Sequence, residues 1–148
     1  IVGLATAFKL AIEELGSETQ KLTALRDRLE AGIREVIPDA RLNGHPQQRL
    51  PNILNMSLPY VEGESLLLAL DTRGIAVSTG SACSAGSSDP SHVLLAMGLE
   101  RSLAEASLRF SLGWGNTVED VDCTVQALQE IVPRLRELSP LYHAARKA

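Results

Sequence analysis

Cys83 lies in a segment whose composition indicates chemistry rather than packing. The segment is Val77-Ser-Thr-Gly-Ser-Ala-Cys83-Ser-Ala-Gly-Ser-Ser-Asp-Pro-Ser-His92, in which small residues surround a single thiol. A cysteine with a purely structural role is normally buried like a small hydrophobic residue. Segments rich in Ser and Gly instead form adaptable surface loops. The sequence therefore predicts that Cys83 is an accessible thiol on a loop, where another molecule can reach it.

Arg109 is a second candidate, in the alternating segment Ser107-Leu-Arg-Phe-Ser-Leu112. Successive side chains of a strand point to opposite faces, so the three apolar residues share one face and Arg109 shares the other with two serines. Two interpretations remain open on spacing alone. Arg109 is either a solvated arginine on an open sheet face or a receptor for a carboxylate, which a guanidinium binds through two parallel hydrogen bonds.

Composition and charge restrict the class of protein. The 148 residues suffice for one domain with its own core, and 45% hydrophobic with 22% charged residues is ordinary for a soluble globular protein. A net charge of −4 argues against nucleic acid as the main partner. Two cysteines make no disulfide framework, which favours a reducing, cytoplasmic compartment. Without a long apolar run, neither a membrane span nor a signal peptide is predicted.

The hydrophobic periodicity predicts an α/β fold that begins with two helices. Apolar residues repeat at helical spacing over residues 1–15 and stop at Gly16, a natural C-cap. Ser17 and Gln20 have the form of a capping box before a second apolar stripe over residues 22–36. Because only a short turn would join these two helices, the sequence predicts that they lie antiparallel. Because the chain starts without Met and already in helical rhythm, we expect it to be a piece of a longer protein.

Strands and helices alternate in the remainder of the chain. The alternation of apolar and polar residues predicts strands, and 3.6-residue periodicity with capping residues predicts helices. The predicted strands are 53–58, 75–77 and 107–112, and the predicted helices are 64–73, 91–97 and one that begins after Thr117 and ends at Ser139-Pro140. We expect the tail from there to residue 148 to be loose.

Four blocks of sequence, taken together, resemble a known family. They are Tyr60–Leu67, Val77–Val93, Ser107–Gly113 and Leu135–Leu141. In this order they are similar to the C-terminal part of the cysteine desulfurases that supply sulfur for iron–sulfur clusters. A second desulfurase group, with a His-His-Cys segment, fits less well because no histidine directly precedes Cys83.

The resemblance implies a fold and a division into domains. Residues 1–148 would be the small C-terminal domain of a fold-type I pyridoxal-phosphate transferase, with a short, mostly antiparallel sheet packed with helices. Residues 1–16 would be a helix that connects to a missing cofactor domain. The full-length protein would be a cytoplasmic homodimer, to which the predicted helix pair could contribute an interface.

The resemblance also implies roles for the two candidates. Cys83 would attack the sulfur of L-cysteine, become a persulfide and leave L-alanine, and Arg109 would hold the substrate carboxylate. The persulfide would pass to an acceptor or cluster scaffold protein, and Cys83 could be a transient iron–sulfur ligand. No metal site or other metal ligand is expected.

The cofactor residues of that family have no counterpart in this sequence. The lysine that binds pyridoxal phosphate belongs to the larger domain, so we expect no cofactor-binding residue here and no activity from this chain alone. Two further functions stay open, a non-enzymatic persulfide carrier that uses Cys83 and a docking module that binds a cluster scaffold through its C-terminal helix and tail.

Several other residues are expected to have structural roles. Cys123 is interpreted as an ordinary helix residue, Trp114 as a packing residue at a turn, and the acidic pair Glu62 and Glu64 as residues that cap a helix. The histidines lack the close spacing of zinc ligands.

Overall fold

The computed structural model describes residues 1–79 and 89–146. Helices and strands alternate along these residues as predicted for an α/β protein. The helices are α1 (Val2–Val36), α2 (Gly63–Asp71), α3 (His92–Ala96), α4 (Arg101–Glu105), α5 (Val118–Glu137) and α6 (Pro140–Ala145). The strands are β1 (Arg41–Leu42), β2 (Ile53–Ser57), β3 (Ser78–Thr79) and β4 (Ser107–Ser111).

The four strands form one sheet in the order β1-β2-β4-β3, with every pair antiparallel. The central pair, β2 and β4, corresponds to the two longer strands predicted from alternation. Its register places Leu54 opposite Phe110 and Asn55 opposite Arg109. This confirms the expected fold class, a small antiparallel sheet packed with helices.

The apolar face of the sheet forms the core with the helices. Leu54, Met56 and Leu108 are fully buried, and Phe110 is almost so. They pack in one cluster with buried residues of α1, α2 and α5. Complete burial of one such side chain contributes about 1.5–3 kcal/mol. The core therefore determines which face of β2 and β4 carries the polar side chains.

Two glycines permit close contact between elements of this core. A Cβ atom added to Gly32 of α1 would lie 2.7 Å from a methyl group of Val125 of α5. A Cβ atom at Gly63 would lie 2.5 Å from the backbone oxygen of Glu105, next to the start of β4. A larger residue at Gly63 would push the first turn of α2 away from the sheet, because backbone atoms cannot move aside as a flexible side chain can.

The predicted pair of antiparallel N-terminal helices is wrong, because α1 runs without interruption through both. Gly16 is not among the residues with positive φ, so it continues the helix instead of ending it. The hydroxyl of Ser17 donates to the carbonyl oxygen of Glu14 rather than capping a new helix. Without the turn, the apolar side chains of residues 1–15 do not fold back, and Phe8 remains 67% exposed.

Four shorter segments also differ from the prediction. The small strand is Ser78–Thr79 rather than 75–77. Of the described residues before position 80, Ser78 and Thr79 pair with β4, whereas the amide of Ile75 bonds back to α2. The strand β1 and the helix α4 were not predicted, since neither is long enough to show a period. The tail is not loose over Pro140–Ala145 but helical, and its Tyr142 ring lies 5.8 Å from the Tyr60 ring.

The N-terminus of α5 follows the sequence prediction closely. Thr117 is the N-cap, its hydroxyl accepts from the Asp120 amide, and the Asp120 carboxylate accepts from the Thr117 amide. The first turn of α5 holds Glu119 and Asp120, and its last turn holds Arg134 and Arg136. Both features stabilise the helix termini, where backbone groups lack intrahelical partners.

A surface ion pair joins α5 to α1. The Arg28 guanidinium donates to both oxygens of Asp122, at 2.7 and 2.8 Å. These hydrogen bonds lower the pKa of the Asp122 carboxyl group. The pair is solvent-exposed, so its contribution to stability is small and decreases with added salt.

We predict that the stability contributed by this pair depends on pH. A carboxyl group with a lowered folded-state pKa stabilises the fold above its unfolded pKa and loses that contribution as the pH falls through the folded pKa. The difference in unfolding free energy between the unmodified protein and Asp122→Asn should therefore be constant near neutral pH and shrink below about pH 4. Urea denaturation over this range measures it. Glu14→Gln is the control, because this exposed residue of α1 has no ion pair among the described residues. A difference between the unmodified protein and Asp122→Asn that does not change with pH would contradict the prediction.

Candidate functional site

Arg109 lies in the middle of β4 on the face of the sheet opposite the core. Its side chain is partly buried, and its Nε atom is buried without a hydrogen-bond partner. Within residues 1–79 and 89–146, no carboxylate pairs with it. Other arginines contrast with it, since each of the following has an acidic partner: Arg26, Arg28, Arg34, Arg49, Arg73, Arg101 and Arg136.

Two polar residues flank Arg109 on the same face. Asn55 of β2 is its partner on one side and Ser78 of β3 on the other, so the three form a row across the sheet. Directly opposed residues of an antiparallel pair have Cβ atoms about 4.5–5.5 Å apart. The hydroxyl of Ser78 donates to the Thr79 backbone oxygen at 3.0 Å. Asn55 and Arg109 are therefore close neighbours.

The Asn55 side chain is held from the far side of β2. The Asn43 amide group donates through Nδ2 to Asn55 Oδ1 at 2.7 Å and to Ser57 Oγ at 2.8 Å. The Asn43 backbone amide also donates to the Asn55 backbone oxygen, at 2.9 Å. Neither asparagine was predicted from the sequence to be a site residue. The alternation at β2 indicates which face of the strand Asn55 occupies. It does not indicate that Asn55 lies opposite Arg109, because strand register cannot be read from one segment.

The row has the chemistry of an anion receptor. A buried N–H without an acceptor costs about 1–3 kcal/mol, and more if the group is charged. Because the described residues offer Arg109 Nε no acceptor, a bound anion would satisfy it.

Cys83 lies outside the described residues, in the segment 80–88. The described chain reaches Thr79, whose partner on β4 is Leu108, and resumes at Asp89, which accepts a hydrogen bond from Arg101 at 3.2 Å. Thr79 precedes Cys83 by four residues in the sequence. The last described residue before that segment, Thr79, therefore lies beside the strand that carries Arg109.

The remaining candidates have the following positions. Cys123 is an exposed free thiol on α5, within the helix as predicted. Glu62 is the N-cap residue of α2 and Glu64 lies in its first turn, although the Glu62 carboxylate accepts from Ser65 rather than from a backbone amide. The expectation for Trp114 is wrong, since its side chain is 82% exposed and packs into no core.

The described residues do not provide a lysine for pyridoxal phosphate. A lysine that bonds this cofactor must face it within a cavity that holds and tunes it. Lys9 and Lys21 both lie on exposed positions of α1, where Lys9 pairs with Glu13 and Lys21 donates to the Trp114 backbone oxygen. Lys147 lies outside the described residues. These residues therefore do not fit the cofactor.

Two features are absent from the described part of the chain. It holds no cluster of three or more His, Cys, Asp or Glu side chains that could bind a metal ion. Nor is any helix within it both long and apolar enough to cross a membrane.

Comparison with known proteins assigns the chain to a family. Residues 1–123 match the sequence profile of the family "Aminotransferase class-V", so the chain belongs to that family. Among its curated relatives is the cysteine desulfurase IscS of Methanosarcina thermophila, 51% identical over 141 residues. The cysteine desulfurase IscS of Pectobacterium atrosepticum is 49% identical over 142 residues. The resemblance found in the sequence is thereby confirmed.

Solved structures show the same relationship. A NifS-like protein superimposes with a TM-score of 0.78 at 34% identity and covers 90% of this chain. A NifS-like protein from Rickettsia africae gives a TM-score of 0.74 at 29% identity over 88% of this chain. The matched regions are 33% of each of those chains. Likewise, this chain spans 35% and 34% of the two curated relatives, although 95% and 96% of it is matched.

Proposed function

We propose that this chain is the C-terminal domain of a cysteine desulfurase that takes sulfur from L-cysteine and leaves L-alanine. The observation that carries the proposal is the unpaired, partly buried Arg109 on the polar face of the sheet. The family and the desulfurase relatives supply the reaction class. In the full-length protein the cofactor is pyridoxal phosphate, which when bound makes the bonds around the substrate Cα labile.

Arg109 binds the carboxylate of the substrate in this proposal. Its guanidinium donates two parallel hydrogen bonds to the two carboxylate oxygens, which fixes the orientation of the amino acid as well as its charge. Because β4 lies in the middle of the sheet, between β2 and β3, the anchor is rigid. Rigid placement of a binding group lowers the entropic cost of reaching the reactive geometry.

Cys83 acts as the nucleophile. Its thiolate attacks the substrate sulfur, an S–S bond forms, and the substrate C–S bond breaks. The electron pair of the broken bond stays with the carbon fragment, which takes up a proton and becomes alanine. Only the thiolate form of cysteine is nucleophilic. The sulfur then passes to an acceptor or cluster scaffold protein for iron–sulfur cluster assembly, in the cytoplasm.

The N-terminal half of α1 connects this domain to the remainder of the full-length protein. Its apolar side chains are exposed at Val2, Leu4, Phe8, Ile12 and Leu15. Contiguous exposed apolar surface of this kind marks an interaction site. We assign it to the cofactor domain of the same protein, which as a whole is a homodimer. This assignment replaces the predicted helix pair with one helix that projects beyond its own core.

A persulfide carrier is the second candidate function. It is favoured by the absence of a buried lysine in residues 1–79 and 89–146. In that case Cys83 would receive sulfur from another protein and Arg109 would have no substrate carboxylate to bind. A docking module for a scaffold protein would need neither residue.

Substitution of Arg109 tests the desulfurase proposal in the full-length protein. We predict that Arg109→Gln raises KM for cysteine roughly 10- to 150-fold, because a hydrogen bond to a charged group contributes about 1.5–3 kcal/mol. Steady-state release of alanine measures the effect. Arg134→Gln is the matched control, since Arg134 is exposed on α5. Equal KM values for Arg109→Gln and the unmodified enzyme would exclude Arg109 as the carboxylate receptor.

The two cysteines provide a matched test of the nucleophile. We predict that Cys83→Ser abolishes transfer of labelled sulfur from cysteine to the protein, because a serine hydroxyl cannot form a persulfide. Cys123→Ser should retain the label, since Cys123 is an exposed helix residue. Gel electrophoresis without reductant, followed by detection of the label, measures both. Retention of label in Cys83→Ser would refute the assignment.

The isolated chain should lack the activity of the whole. We predict that purified residues 1–148 with added pyridoxal phosphate show no absorbance of a lysine-bound cofactor and release no alanine from cysteine. The physical reason is the exposure of Lys9 and Lys21 on α1. Visible absorbance after desalting and an alanine assay measure the two quantities. Either signal would contradict the prediction.

A further inference from the structure

We infer that Asn55 is a second carboxylate-binding residue, which donates a hydrogen bond from Nδ2 to the anion held by Arg109. The inference rests on the proposed function, because it extends the same substrate site. It starts from the register of the sheet, which places Asn55 directly opposite Arg109 on the polar face. The two side chains thus begin about 5 Å apart and point to the same side.

The hydrogen bonds of Asn55 determine which end of its amide faces Arg109. In the strand order β1-β2-β4-β3, Asn43 follows β1 on one side of β2, and Arg109 lies on the other. Asn55 Oδ1 accepts from Asn43 Nδ2 at 2.7 Å, so the oxygen is directed toward β1. The oxygen and nitrogen of a planar carboxamide point to opposite sides. Nδ2 is therefore directed toward β4 and Arg109.

The Nδ2 donor is available to a ligand. Among residues 1–79 and 89–146, Asn55 Nδ2 has no hydrogen-bond acceptor, and neither has Arg109 Nε. Two neighbouring donors without acceptors, one of them charged, repel cations and match the two oxygens of a carboxylate. Both residues lie on paired strands in the interior of the sheet, so their separation is set by the backbone.

Asn43 positions Asn55 in this arrangement. Its amide bonds both Asn55 and Ser57, and its backbone amide bonds the Asn55 carbonyl oxygen. Without the Asn43 side chain, the Asn55 amide could rotate and present its oxygen to the substrate. A carboxylate would then meet an acceptor instead of a donor, and binding would weaken.

Two substrate analogues distinguish a loss of carboxylate binding from a general loss of ligand binding. The analogue 3-mercaptopropionate keeps the thiol and carboxylate of cysteine, whereas cysteamine keeps the thiol and amine and lacks the carboxylate. Calorimetric titration of the full-length, cofactor-loaded protein gives a Kd for each. We expect Asn55→Ala to raise Kd for 3-mercaptopropionate about 10-fold and to leave Kd for cysteamine unchanged.

Further variants sharpen the test. Asn55→Asp keeps the shape of the side chain but places a carboxylate beside Arg109. It should therefore raise the Kd for 3-mercaptopropionate more than Asn55→Ala does. Asn43→Ala should give a smaller loss in the same direction. Asn52→Ala is the matched control, because Asn52 lies one residue before β2, outside the row, and should change neither Kd. Circular dichroism checks that each variant is folded.

Each outcome of these titrations either supports or overturns the role of Asn55. Selective loss of 3-mercaptopropionate binding supports the inference. Unchanged Kd values, or equal weakening of both analogues, overturn it, since equal weakening indicates a structural role only. If Asn55→Ala does not fold, Asn55→Asp and Asn43→Ala carry the same test. Arg109→Gln distinguishes failure of the proposed function from failure of the role of Asn55. If Arg109→Gln also leaves the Kd for 3-mercaptopropionate unchanged, the proposed function fails. If Arg109→Gln raises that Kd and Asn55→Ala does not, only the role of Asn55 fails.

Discussion

The two-residue period of the central strand pair is the constraint on which the rest of the structure depends. Both β2 and β4 direct alternate side chains to the core, so the residues between those core-facing ones in sequence must face the other way. A slip of one residue in either strand would place its polar side chains among the buried leucines and expose its apolar ones. Burying the Arg109 charge without a partner would cost several kcal/mol. The core therefore holds the polar row in place without contacting it.

The distribution of ion pairs has a complementary effect. Seven arginines on the helices and loops are matched to carboxylates, as in the contacts of Arg28 with both oxygens of Asp122 and of Arg136 Nη2 with both oxygens of Asp39. These pairs hold α1, α5 and the segment before β1 together at the surface. Within the described residues no such carboxylate reaches Arg109. An arginine kept free of internal partners is ready for an anion, because no existing ion pair has to break first.

Sequence reasoning predicted those features that depend on short-range pattern. Alternation located β2 and β4 and the face of Arg109, and the capping residue Thr117 located the start of α5. It failed where a local signal competes with the surroundings, as at Gly16, which has the residue type of a helix end but lies inside α1. It also missed the pairing of Asn55 with Arg109. Register depends on contacts between distant segments, so no single window of sequence contains it.

The short outer strands have a consequence for how this domain associates with other proteins. In the described sheet both edges are formed by strands of only two residues, β1 and β3. A long, flat edge offers a row of free backbone amides and carbonyls to which a foreign strand can add, and short edges deny that template. Among the described residues, the sheet edges therefore offer little backbone for strand addition, which leaves contact with another protein there to side chains and helices.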